Sequence, residues 1–116
     1  MIAHAVALSG RVILALLFIL AGAAKVAGRG PFLEHMAKEG VPGWLLPGVI
    51  ALELGAGLAL AIGWHTPWAA GALALFCLLT AVVFHRRLGE RAERTLFFKD
   101  LALAGALAMI AAGGAG

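Results

Sequence analysis

Val12 to Ala24 form an uncharged apolar run between Arg11 and Lys25, and three further apolar stretches follow it along the chain. A chain built this way does not fold as a water-soluble globule. Of its 116 residues 63% are hydrophobic and 13% charged, against roughly 45–50% and about 25% in ordinary soluble domains. A domain this small leaves a large share of its surface exposed, so the surplus apolar side chains need lipid to cover them. The stretches are continuous and rich in Ala and Leu, without the alternation over about 10 residues that marks an outer-membrane strand. The fold class is therefore an all-α membrane protein.

A spanning helix takes about 20 residues, so the length admits four spans or at most five. Four are placed within one domain, residues 1–116, at about 6–27, 44–64, 67–85 and 96–115. The expected architecture is an antiparallel four-transmembrane-helix bundle. Pro67 occupies the favoured first position of the third span. Gly55, Gly57 and Ala61, Ala70 to Ala74, and Ala102, Gly105 and Ala106 offer small surfaces for close helix contact. A homo-oligomer is compatible with this pattern and not demanded by it. Ala21-Gly22-Ala23-Ala24 faintly resembles a signal-cleavage site, but Arg11 is a thin basic region to precede it. The first segment is read as a retained span.

Short-loop basic residues set the orientation. Lys25, Arg29, Lys38, Arg86, Arg87, Arg91, Arg94 and Lys99 fall at one end of the expected bundle, and only Arg11 at the other. That end belongs in the cytoplasm, which leaves both termini extracytoplasmic. The turn Gly63-Trp64-His65-Thr66-Pro67 carries no charged residue. Between the first two spans a short interfacial helix is expected, opened by Pro31 and closed by Gly40 and Pro42, with Phe32, Leu33 and Met36 toward the bilayer. Trp44, Trp64 and Trp68 sit at helix ends, where indoles anchor in the headgroup layer. No basic block of the nucleic-acid-binding type is present.

Charges inside spans cost about 2.5–3.5 kcal/mol each on insertion scales, so each needs a reason. Glu53 lies roughly 13–14 Å past Trp44 along its helix, near the bilayer midplane. It is either a structural carboxyl, neutral or paired with Arg11, or a proton donor and acceptor beside a bound hydrophobic molecule. Arg11 either reaches Glu53 or snorkels outward. Lys25, His85, Lys99 and Asp100 fall near the inner helix ends and can form one polar network. His85, of a residue type whose charge changes near neutral pH, gives that network a proton-handling character. Cys77 is a lone thiol within the third span, which excludes disulfides within the chain and Cys-x-x-Cys redox pairs. No His or Cys spacing suits a metal or haem, so none is assigned as intrinsic.

In order along the chain stand Arg11 with Leu14-Ala15-Leu16-Leu17-Phe18, Ala21-Gly22 to Lys25, and Met36 with Gly40-Val41-Pro42. There follow Glu53-Leu54 ahead of Gly57-Leu58-Ala59-Leu60, Gly63 and Thr66, Phe84-His85, and Phe98-Lys99-Asp100-Leu101-Ala102. This ordered set, spanning nearly the whole chain, resembles the DoxX family of small bacterial membrane proteins. Asp100 departs from the pattern, since the family more often has Asn there. The resemblance implies a multi-pass protein of the bacterial inner (plasma) membrane. Some members are similar to the membrane subunit of a thiosulfate:quinone oxidoreductase, and others are associated with quinone or thiol-stress protection.

The leading expectation is a quinone-interacting component of a membrane redox system, at most a subunit of an oxidoreductase. Glu53 and His85 would handle protons, while Arg11, Lys25, Lys99 and Asp100 would form the polar network around the ligand. The sequence holds no electron carrier, so a soluble or membrane redox partner would supply electrons. The alternative is a non-catalytic subunit or assembly factor that docks a partner or anionic lipid through the basic Arg86–Arg94 loop. A transporter finds little support without an inverted repeat or broken helices.

Overall fold

The computed structural model describes residues 1–85 and 89–113. Among these, five helices and one short 3-10 turn are present and no strand: α1 (Ile2–Ala27), α2 (Gly30–Lys38), the turn Gly43–Leu45, α3 (Leu46–Ile62), α4 (Thr66–Phe84) and α5 (Arg91–Ala111). Each expected apolar segment is helical over most of its described residues. Three helical stretches are long and apolar enough to cross a membrane: Ile2–Ala27, Gly43–Ile62 and Thr66–Phe84. The segment expected at 96–115 differs. Helix α5 begins five residues earlier than expected and carries Arg91, Glu93, Arg94, Lys99 and Asp100 in its first half. Its uncharged part, from Leu101 to Ala111, is about 16 Å long at 1.5 Å per residue, roughly half a hydrocarbon core. The expected end at Ala115, and Arg86 and Arg87 of the basic loop, lie outside the described residues.

Two left-handed glycines close helices, Gly40 as expected and Gly63 just before the expected end of the second span at Trp64. At Gly40 (φ +73°) the Val41 amide donates back to the Met36 carbonyl at 2.8 Å. At Gly63 (φ +77°) the Trp64 amide reaches the Ala59 carbonyl at 2.8 Å. Both are six-to-one closures that satisfy carbonyls left over at a helix end. The second turns the chain directly into α4.

Helix α1 runs antiparallel to α3, in a register set by two glycines. A Cβ on Gly22 would lie 2.8 Å from Leu54 Cγ and 3.3 Å from Glu53 Cβ, and one on Gly57 would lie 3.0 Å from Ile19 Cγ1. These are the small-residue contacts that let helices approach in a bilayer. Gly55 and Gly105, expected to serve the same end, face open space. Helix α4 continues from α3, and α5 packs along α4. A shared apolar core takes Ala15 and Phe18 from α1, Leu60 from α3, Leu73 and Cys77 from α4, and Leu107 from α5. Outside it Ile13, Ile62, Leu75 and Met109 stay largely exposed, as lipid-facing side chains do. Helix α2 turns only Leu33 of its three expected bilayer-facing residues outward. Met36 is buried and packs with Phe32 against Leu46 and Ile50 at the start of α3, so α2 covers one end of the helix assembly.

Candidate functional site

Beneath α2 the helices leave a cavity of about 350 Å³ lined from all five of them. Its walls are mostly apolar, with Phe18, Phe32, Met36, Val49, Phe76 and Leu103 among them. Its polar groups are Lys25 from α1, His35 from α2, Glu53 from α3, Thr80 from α4, His85 at the end of α4, and Lys99 and Asp100 from α5. The volume is at the small end of the range for ligand pockets, which are typically apolar with a few convergent polar groups.

The buried charge is Glu53, whose side chain is 3% exposed and meets the Lys25 ammonium at 2.7 Å. The pairing follows from the α1–α3 register: Gly22 is level with Glu53, and Lys25 stands about one turn further toward the α1 C-terminus, within reach of a long side chain. Lys25 Nζ also lies 5.0 Å from the centre of the Phe32 ring, a cation–π contact from α2.

Arg11 is elsewhere: of the two alternatives open to it, the pairing with Glu53 is not the one the structure shows. Eleven residues before Gly22, it lies about 16 Å away along α1. Its guanidinium packs on Gly63, where a Cβ would come within 3.2 Å of it. Its Nε is buried without a hydrogen-bond partner, and the side chain borders a separate apolar cleft with Gly10, Leu14 and Met109. Arg11 therefore does not belong to the polar network in which it was expected.

The second polar group centres on His85. Its Nδ1 is 3.0 Å from Glu93 Oε2, and its Nε2 is 3.6 Å from Asp100 Oδ2. Seven residues apart on α5, the two carboxylates fall on one helix face, and the imidazole sits between them. The His35 ring stands 6.2 Å away, centre to centre, and also meets Phe84 edge-on at 5.1 Å. His35 and Glu93 were absent from the expected site. The signal for Glu93 was present in the sequence, as an acidic residue two turns before Asp100. For His35 no local signal existed, because its place depends on how α2 folds back. Thr80 lines the cavity, but its hydroxyl donates to the Phe76 carbonyl at 2.8 Å.

The arrangement suits an amphiphilic guest, with a flat or aliphatic body against the apolar wall and polar atoms toward the ion pair and the imidazole. Fold and site together define a class of small helical membrane proteins with a charged cavity inside the helix assembly. Within that class the chain belongs to the DoxX family, whose model matches residues 6–86. It is also similar to the inner membrane protein YqjF of Escherichia coli (strain K12), with 39% identity over 109 residues, covering 94% of this chain and 84% of the relative. The family match includes Lys25, His35, Glu53 and His85 but stops before α5, which supplies Glu93, Lys99 and Asp100. No solved structure gives a significant match.

Proposed function

We propose that the chain is a four-span protein of the bacterial inner membrane that binds a quinone in the cavity and exchanges protons with it. The observation that carries this reading is the cavity itself. An apolar space large enough for a substituted ring is flanked at one side by Glu53 with Lys25 and at another by His85 with Asp100. Quinol chemistry moves two protons, and two separate proton-handling groups, Glu53 and His85, supply an acceptor for each. Lys25 and Lys99 favour the anionic form of a reduced ring, and Asp100 balances their charge. Electrons come from a redox partner, soluble or membrane-bound. Helix α5 serves as the fourth span, with its charged first half at the cytoplasmic surface and both termini outside. Lys25, Lys99, Arg91 and Arg94 then lie on the cytoplasmic side, as short-loop basic residues do.

The test is binding of a short-chain ubiquinone analogue to the purified protein in lipid nanodiscs, wild type against Glu53→Gln, each of measured thermal stability. Saturable binding to wild type that weakens at least tenfold in the variant, with the fold retained, supports the reading. Absent binding, or equal binding by both, overturns it. Exposed Arg91 and Arg94 would then favour a subunit that docks a partner or anionic lipid without chemistry of its own.

A further inference from the structure

Glu93 does not line the cavity, yet it touches a residue that does. A neutral imidazole has one N–H, and the partner of each nitrogen decides which one carries it. At His85 the two partners are unequal. Glu93 Oε2 is at hydrogen-bond distance from Nδ1, 3.0 Å, whereas Asp100 Oδ2 stands 3.6 Å from Nε2, beyond hydrogen-bond range. With Glu93 as a carboxylate, which only accepts, the shorter contact requires a protonated Nδ1. The longer contact places no requirement on Nε2, which is left free of a hydrogen-bonded proton in the neutral ring.

We infer that Glu93 is a positioning residue: it fixes the resting proton of His85 on Nδ1, so that Nε2 is the basic atom presented to the cavity. This rests on the proton-handling role proposed above for His85, and does not require that the ligand be a quinone. When a ligand hydroxyl gives up its proton, the O–H bond breaks and an Nε2–H bond forms. The ring becomes an imidazolium held between the Glu93 and Asp100 carboxylates, and no electron moves. His35 from α2 and Lys99 from α5 are the other titratable groups at this end of the cavity, and neither supplies an acceptor to Nδ1. The arrangement follows the rule by which the hydrogen bond at one ring nitrogen sets the protonation of the other.

The experiment is nitrogen NMR of the full chain, labelled at histidine and held in nanodiscs without added ligand, at alkaline pH. The His85 signals are assigned by their loss in His85→Gln. The expected result is a protonated Nδ1 in wild type, and equally in Asp100→Asn and in Glu93→Gln, which keeps an acceptor oxygen. In Glu93→Ala the ring reverts to Nε2–H, facing Asp100, and the tautomer ratio inverts at least fivefold. An unprotonated Nδ1 in wild type overturns the inference, and so does an Nδ1 that stays protonated in Glu93→Ala. The wild-type spectrum decides even if the alanine variant does not fold. Because no quinone is present, failure here is separate from failure of the binding test.

Discussion

Lys25→Met should destabilise the protein far more than its place near a helix end suggests. At the observed 2.7 Å separation and an effective dielectric of about 20, the attraction between Lys25 and Glu53 is about 6 kcal/mol before desolvation. Methionine keeps the length of the side chain and removes the charge, so the loss is electrostatic. Breaking a buried pair by removing one partner typically costs about 3–5 kcal/mol, because the remaining charge is stranded. Glu53 is the worse group to strand: it is 3% exposed against 16% for Lys25, and its short side chain cannot reach the interface. Lys25 can, since it lies two residues before the end of α1 and long basic side chains snorkel. Glu53→Gln should therefore cost less than half as much as Lys25→Met. The double variant Lys25→Met/Glu53→Gln should recover most of the loss, since both charges are gone. Equilibrium unfolding in mixed micelles, carried through the full double-mutant cycle, measures all three. A Lys25→Met cost under about 1 kcal/mol, or a double variant no more stable than Lys25→Met alone, would refute the argument that a buried ion pair ties α1 to α3.

Gly22→Leu should cost about 1–3 kcal/mol by overpacking, since its Cβ alone would press to 2.8 Å from Leu54 Cγ. Gly55→Ala on the open side of α3 should be neutral or stabilise by up to about 1 kcal/mol, and thermal unfolding of the two side by side checks the assigned interface. Cys77, 2% exposed in the core, should resist a bulky maleimide in nanodiscs and react fully only in hot detergent. Equal labelling in both would mean that α4 separates from its neighbours in the bilayer.

The apolar runs made the helices legible, and Gly40 with Pro42 made the end of α2 legible. Periodicity and composition say little about how far one helix is slid along another, and that is where the reading of the site went wrong. Arg11 and Lys25 bound the same run and are 14 residues apart, about 21 Å along a helix, so Glu53 can reach only one of them. The choice was settled by where Gly22 and Gly57 let the backbones close, which depends on packing across α1 and α3. The placement of Phe32 and Met36 failed for a related reason. An amphipathic helix in a short loop reads as interfacial, but the same apolar face fits the exposed start of α3. The start of α5 was read late because charged residues mask a helix whose uncharged part begins only at Leu101. By contrast, grouping Lys25, His85, Lys99 and Asp100 needed only that all four lie near one end of their helices.

The ion pairs have a division of labour that bears on how a cavity survives inside so small an assembly. Lys25 with Glu53 ties α1 to α3, while His85 with Glu93 and Asp100 ties the end of α4 to α5. Neither set crosses between the two helix pairs. Among the described residues the core contacts across that boundary are apolar, with Phe18 of α1 in one cluster with Leu73 and Leu107 of the other pair. In lipid such contacts have no hydrophobic driving force and depend on packing alone, so this seam is the weaker one. The cavity lies along it, with α2 over one end. Charges that held the pairs to each other would have to separate for a guest to enter, at the cost of stranding both in a low dielectric. Placed within each pair, they keep their partners while the seam opens. Under the proposed binding role, a membrane-dissolved guest then reaches Glu53 and His85 without either group being exposed unpaired to lipid.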